Sequence, residues 1–131
     1  KLSRFLEGLG AVPRTMSTEE HDRLVATLNQ LPQLTASALM HVLGTRLGKE
    51  GLDLSGRSVL DATKLASSSF EIWRDICATN ADQLGSALDQ LIGVLQILRQ
   101  DLETGDQLAD VFASANEWRE VLRSSAERVE K

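Results

Sequence analysis

Residues 81–104 read ADQLGSALDQLIGVLQILRQDLET, and along them Leu84, Leu88, Leu91, Ile92, Leu95, Leu98 and Leu102 recur three or four positions apart. That period puts them on one face of an α-helix, with Gly105 as its stop. Ile92, Val94, Leu95, Ile97 and Leu98 make the middle of this helix apolar on more than one face. Such a helix is expected between neighbours, either in a subunit interface or at the centre of a monomer.

Both flanks keep the same period. Downstream, Leu108, Val111, Phe112, Ala115, Trp118, Val121 and Leu122 predict a last helix behind an Asp106 cap. Upstream, Ser68 and Glu71 form a capping box that opens a helix through Ile72, Trp73, Ile76 and Cys77 to about Asn80. Residues 57–66 fit a short helix, and residues 44–56, with four glycines, read as a loop. Ser17 and Glu20 make another capping box, after which apolar positions from Leu24 to Leu43 continue past Pro32. Proline removes a helix hydrogen bond and crowds the preceding turn, so a kink is expected between Leu28 and Gln33, where freed backbone groups can host a site. Leu2, Phe5, Leu6 and Leu9 predict a short opening helix that ends at Gly8 to Gly10. No stretch alternates with period two and no hairpin pair occurs, so the expected fold is all-α, with five to six helices.

The composition agrees with one globular domain. The chain has 131 residues, 42% apolar and 25% charged, with only 9 Gly and 2 Pro; a domain this long buries about two thirds of its unfolded surface. Its 14 basic and 19 acidic side chains leave a net charge of −5, with no basic run, which argues against a nucleic-acid or anionic-membrane partner. Cys77 stands alone, which excludes an internal disulfide or a multi-cysteine zinc site and fits a buried thiol in the cytoplasm. No apolar run approaches a membrane span. The chain opens on Lys1 rather than Met, and is expected to be a piece of a longer protein.

Residues for chemistry are few. His21 and His41 are about five helical turns apart and cannot form a metal-binding pair, so no metal is expected. There is no P-loop, no dinucleotide glycine fingerprint, no nucleophile elbow and no tyrosine. Glu19, Glu20, Asp101 and Glu103 lie at helix ends, where capping and solvation account for them. Composition and periodicity alone stop at an acidic, all-helical, dimeric module.

Two stretches go further. Residues 21–39 read HDRLVATLNQLPQLTASAL, and residues 61–76 read DATKLASSSFEIWRDI. Together with the lead-in Leu9 to Pro13, this resembles the C-terminal helical domain of the prephenate/arogenate dehydrogenase family. There a His-Asp pair precedes a Ser-His-Leu-Pro-His motif, and a later segment reads Asp-Thr-Thr-Arg-Ile-Ala and then Met-Trp-Arg-Asp-Ile. The resemblance covers nearly the whole chain, in order and spacing. It implies a domain like the C-terminal part of 6-phosphogluconate dehydrogenase, paired as an intertwined homodimer across residues 1–131. It also implies an N-terminal nucleotide-binding domain, absent from this chain, that binds NAD or NADP and supplies the catalytic histidine. The reaction implied is hydride transfer to the nicotinamide with decarboxylation of prephenate, arogenate or a related cyclohexadienyl substrate, so the chain alone should be inactive.

Position by position, the resemblance assigns a substrate-binding set. Asn29 and Gln33 stand where the motif has its serine and final histidine, which keeps polarity but removes the titrating ring. Lys64 stands for the arginine that grips a substrate carboxylate, keeping the charge without the two-pronged guanidinium. Asp61 stands for an aspartate near the dimer-related site, and Trp73 for the tryptophan beside the pocket. Arg57 and Ser58 replace a glycine pair. His21 and Asp22 match the opening pair and are expected to tie the helix start to the inter-domain hinge. Each also has a structural explanation: Asn29 and Gln33 can satisfy carbonyls freed at the kink, Lys64 can be a surface lysine, and Trp73 can be core. The alternatives to the enzyme are a non-catalytic dimerisation scaffold of the same descent, or an unrelated adaptor bundle.

Overall fold

A computed structural model describes residues 1–130, and every regular element in it is helical. In chain order these are α1 (Leu2–Gly8), α2 (Thr18–Val25), a π turn (Ala26–Gln30), α3 (Leu31–Leu52), α4 (Arg57–Ala62), a 3-10 turn (Lys64–Ser67), α5 (Phe70–Thr79), α6 (Ala81–Gln100) and α7 (Asp106–Val129). With α2, the π turn and α3 taken as one continuous rod, six helices result, as the periodicity predicts. The chain divides into two compact units, Lys1–Ala87 and the residues from Leu88 onward.

In the first unit, α2 begins where the capping box places it, with Ser17 Oγ accepting from the Glu20 amide at 3.1 Å. Where a kink is expected, between Leu28 and Gln33, a π turn over Ala26–Gln30 carries the helix past Pro32. The Leu31 amide bonds to the Ala26 carbonyl, five residues back instead of four. The extra residue lets the rod continue past a proline that has no N–H to donate. Residues 44–56, expected as a loop, are instead largely helical: α3 runs on to Leu52 and is broken only at Gly48, with φ 62 and ψ −174. Only glycine takes that backbone without strain, so one residue makes the break that the four glycines suggested for the whole stretch.

The capping box expected at Ser68 does not form. Helix α5 starts at Phe70 behind Ser69, one residue later than that box implies, because the Ser68 hydroxyl faces acceptors on α3 and the 3-10 turn. Ser69 Oγ bonds to Glu71 Oε2 at 2.6 Å and holds the Glu71 carboxyl below its ordinary range. The buried apolar side chains Ala26, Ala36, Leu84 and Ala87 all belong to this first unit. Cys77 is a half-buried free thiol, not a fully buried one.

In the second unit α6 ends at Gln100, four residues short of the expected Thr104, and a turn leads to Gly105 at φ 79. Asp101 caps α7, not Asp106. Its carboxylate accepts from the Leu108 amide at 2.8 Å and from Thr104 Oγ1 at 2.7 Å. A cap must precede the first helical amides, and Asp106 is already inside the first turn. Ile92, Val94, Leu95 and Ile97 on α6, and Phe112, Trp118, Val121 and Leu122 on α7, are exposed.

Candidate functional site

Helix α3 begins just after the π turn, and that offset fixes which way its first polar side chains face. Gln30 and Gln33 are both turned inward, 4% and 5% exposed, while Asn29 between them and α2 is exposed. Gln33 Nε2 donates to the Leu65 carbonyl at 2.7 Å and to Ser37 Oγ at 3.4 Å, and Ser68 Oγ donates to Gln33 Oε1 at 3.1 Å. Both amide hydrogens are thereby used, and one carbonyl lone pair remains. Gln33 thus satisfies a carbonyl, though that of Leu65 and not one freed at the kink. Gln30 Oε1 accepts from Asn80 Nδ2 at 3.1 Å, and the same Asn80 amide donates to the Asp22 carbonyl at 2.9 Å.

Above Gln33 lies a pocket of about 250 Å³ lined by Gln33, Leu34, Ser37, Ser68, Ser69, Phe70 and Trp73. It joins two aromatic faces to an amide and three hydroxyls, with no charged side chain in its wall. Such a lining suits a neutral ring that carries hydroxyl groups, and it offers no counter-charge to a carboxylate. A wider depression of about 510 Å³ between the start of α2 and the α5/α6 junction holds Glu19, Asp22 and Asp82. None of the residues selected from the sequence as substrate-binding lies in it.

Of those five residues, the pocket brings Gln33 and half-buried Trp73 together. Lys64 is exposed at the start of the 3-10 turn, next to the carbonyl that Gln33 holds, and no ion pair forms on it among the described residues. Asn29 is exposed on the π turn. Asp61 pairs with Arg57 at 3.6 Å across one turn of α4, both well exposed. Neither Asn29, Lys64 nor Asp61 lines the pocket. His21 and Asp22 meet each other at 3.3 Å on the surface, and it is the Asp22 main chain that joins the interior network.

Ser37, Gln30 and Asn80 belong to no motif that marks them as site residues, and Ser68 carries the signature of a helix cap instead. Asn80 could have been found as the polar residue at the junction of two predicted helices. Among the described residues no three His, Cys, Asp or Glu side chains gather as a metal site. No described helix is long and apolar enough to cross a membrane.

Comparison with known proteins places the chain in a family. A family model described as "Prephenate dehydrogenase, dimerization domain" matches residues 17–123. The chain is 30% identical over 128 residues to a cyclohexadienyl dehydrogenase of Zymomonas mobilis, covering 94% of this chain and 44% of that protein. It is likewise 30% identical over 128 residues to a prephenate dehydrogenase of Bacillus subtilis, covering 93% of this chain and 34% of that protein. The chain thus spans less than half the length of these curated relatives. Through this match, which runs from the capping box at Ser17 into α7, the chain belongs to the prephenate dehydrogenase dimerization-domain family.

Proposed function

We propose that this chain is the dimerisation and substrate-site domain of an NAD(P)-dependent dehydrogenase that oxidatively decarboxylates prephenate, arogenate or a related cyclohexadienyl compound. The observation that carries the reading is the pocket of Gln33 and Trp73, formed at the motif positions of a family that both relatives represent. The cyclohexadienyl ring would lie against Phe70 and Trp73, with its polar substituents toward the serine hydroxyls. Lys64 would hold a substrate carboxylate with one ammonium instead of a guanidinium fork, a weaker grip. Asn29 would add a polar contact, and Asp61 would act near the partner subunit's site. Gln33 brings no positive charge, so an ammonium on the substrate side chain meets no repulsion there, which favours arogenate over prephenate.

The described residues of this chain include no strand followed by a glycine-rich turn and a helix, so they do not fit a nicotinamide dinucleotide. The cofactor, NAD or NADP, would be held by a nucleotide-binding domain outside this chain, and the chain alone would be inactive. The working unit is a homodimer, and its free thiol suits the cytoplasm. The commitment of both Gln33 amide hydrogens inside the protein favours a second reading, a scaffold that dimerises without binding substrate.

Reduction of NAD+ and NADP+ by the complete protein carrying this chain, followed at the nicotinamide absorbance with prephenate and arogenate in parallel, separates the two. Turnover, faster with arogenate, is the expected result. Silence with both substrates and both cofactors would leave the scaffold.

A further inference from the structure

Three donor groups surround the Leu65 carbonyl: Gln33 Nε2 at 2.7 Å, the Ser68 amide at 3.4 Å, and Ser68 Oγ at 3.0 Å, whose single hydrogen is shared with Gln33 Oε1. The shortest comes from α3, and the longest is the bond by which the 3-10 turn closes on itself. A 3-10 turn has poor hydrogen-bond geometry of its own, so its placement is set from outside. Here the outside group is an amide with one possible orientation: the Leu65 oxygen only accepts, so the NH2 end of Gln33 must face it. The carbonyl end then accepts from the Ser68 hydroxyl, so Gln33 holds the turn at its second residue, Leu65, and just past its end, at Ser68. Lys64 is the first residue of that turn, one peptide bond from the clasped carbonyl.

We infer that Gln33 is a positioning residue: by holding the 64–67 turn against α3 through the Leu65 carbonyl and Ser68, it sets where the Lys64 ammonium is presented to the substrate. This rests on the proposed dehydrogenase reading and on Lys64 as the carboxylate-holding group. It differs from that reading in the role of Gln33, whose amide acts through the turn and not on the substrate.

The test is a double-mutant cycle in the complete enzyme, with KM and kcat measured for whichever of prephenate and arogenate the wild type oxidises. Gln33→Leu should raise KM about as much as Lys64→Ala does, about tenfold for loss of one charge-assisted contact, with a smaller change in kcat. The double variant should be no worse than Lys64→Ala alone. Ser68→Ala removes only an exposed hydroxyl, so it carries the same test if Gln33→Leu does not fold. It should raise KM by a smaller factor that also disappears in the Lys64→Ala background. Losses that multiply in the double variant would show Gln33 touching the substrate independently and would overturn the inference, as would a lowered denaturation midpoint with KM unchanged. Absence of turnover by the wild type would overturn the dehydrogenase reading, and this inference with it, before any variant is compared.

Discussion

Gly48 interrupts α3 at φ 62 and ψ −174, and no atom lies within 4 Å of where its Cβ would be. Gly48→Ala therefore meets no clash, and its cost is purely conformational. The expected loss is about 1–3 kcal/mol, read as a lower urea midpoint with an unchanged slope. Asp101 shows a different kind of dependence on one side chain. The bond from Thr104, followed by the Leu108 amide, holds its carboxyl below the ordinary range against the opposing effect of desolvation. A carboxylate with a depressed folded value stabilises the protein above its unfolded value and loses that contribution as pH falls through the folded one. Stability should therefore decline below about pH 4, and Asp101→Ala should flatten that acid limb while lowering the midpoint at neutral pH. Glu71, bonded by Ser69, and Glu120, bonded by Arg123, are shifted in the same direction and add to the acid limb that remains. Denaturation midpoints measured between pH 2 and 7 for both proteins, over roughly the range in which carboxylates titrate, check the sign.

Among the elements, the start of α2 is capped by one side-chain bond, from the Glu20 amide to Ser17 Oγ at 3.1 Å. Ser17→Ala should cost about 1 kcal/mol in chemical denaturation, and Ser17→Asp should cost much less because a carboxylate also accepts. This cap could be read in the sequence because the motif and the groups it satisfies lie within four residues. The all-α class and the long helix opening at Ala81 were legible for the same reason, and Pro32 marked the place where the π turn forms. The departures from expectation depend on partners outside the local motif. Ser68 has a cap signature, but its hydroxyl bonds to Gln33 on α3. Asp106 has the right residue type for a cap, but the carboxylate that reaches the α7 amides comes from Asp101, at the other end of the turn. The glycines at 44, 51 and 56 resemble Gly48 in sequence, but only Gly48 of these takes a positive φ. For the site, resemblance singled out Gln33 and Trp73, and the two line one pocket. It could not show that both hydrogens of the Gln33 amide are already engaged, because the partners Leu65, Ser37 and Ser68 belong to the folded arrangement.

At the scale of the whole molecule, the imbalance is between few buried and many exposed apolar side chains. Ala26, Ala36, Leu84 and Ala87 are buried, whereas Ile92, Leu95, Phe112 and Trp118 are among the large apolar residues left in contact with water. A second copy of the chain is the partner proposed to cover them, so folding and assembly should be linked. The thermal midpoint should then rise with protein concentration. Leu95→Asp together with Ile92→Asp should reduce the mass in light scattering to that of one protomer and abolish that dependence. Among the described residues, the hydrogen bonds that join sequence-distant parts of the chain all end on Gln33 or Asn80, and both groups are carboxamides. Slow hydrolysis converts a carboxamide to a carboxylate, which exchanges a donor for an acceptor. At Asn80 the new oxygen would face the Asp22 carbonyl and Gln30 Oε1, and at Gln33 it would face Leu65. Chemical ageing at either position would therefore loosen the tertiary structure without cutting the chain, and would add a single negative charge that isoelectric focusing can detect.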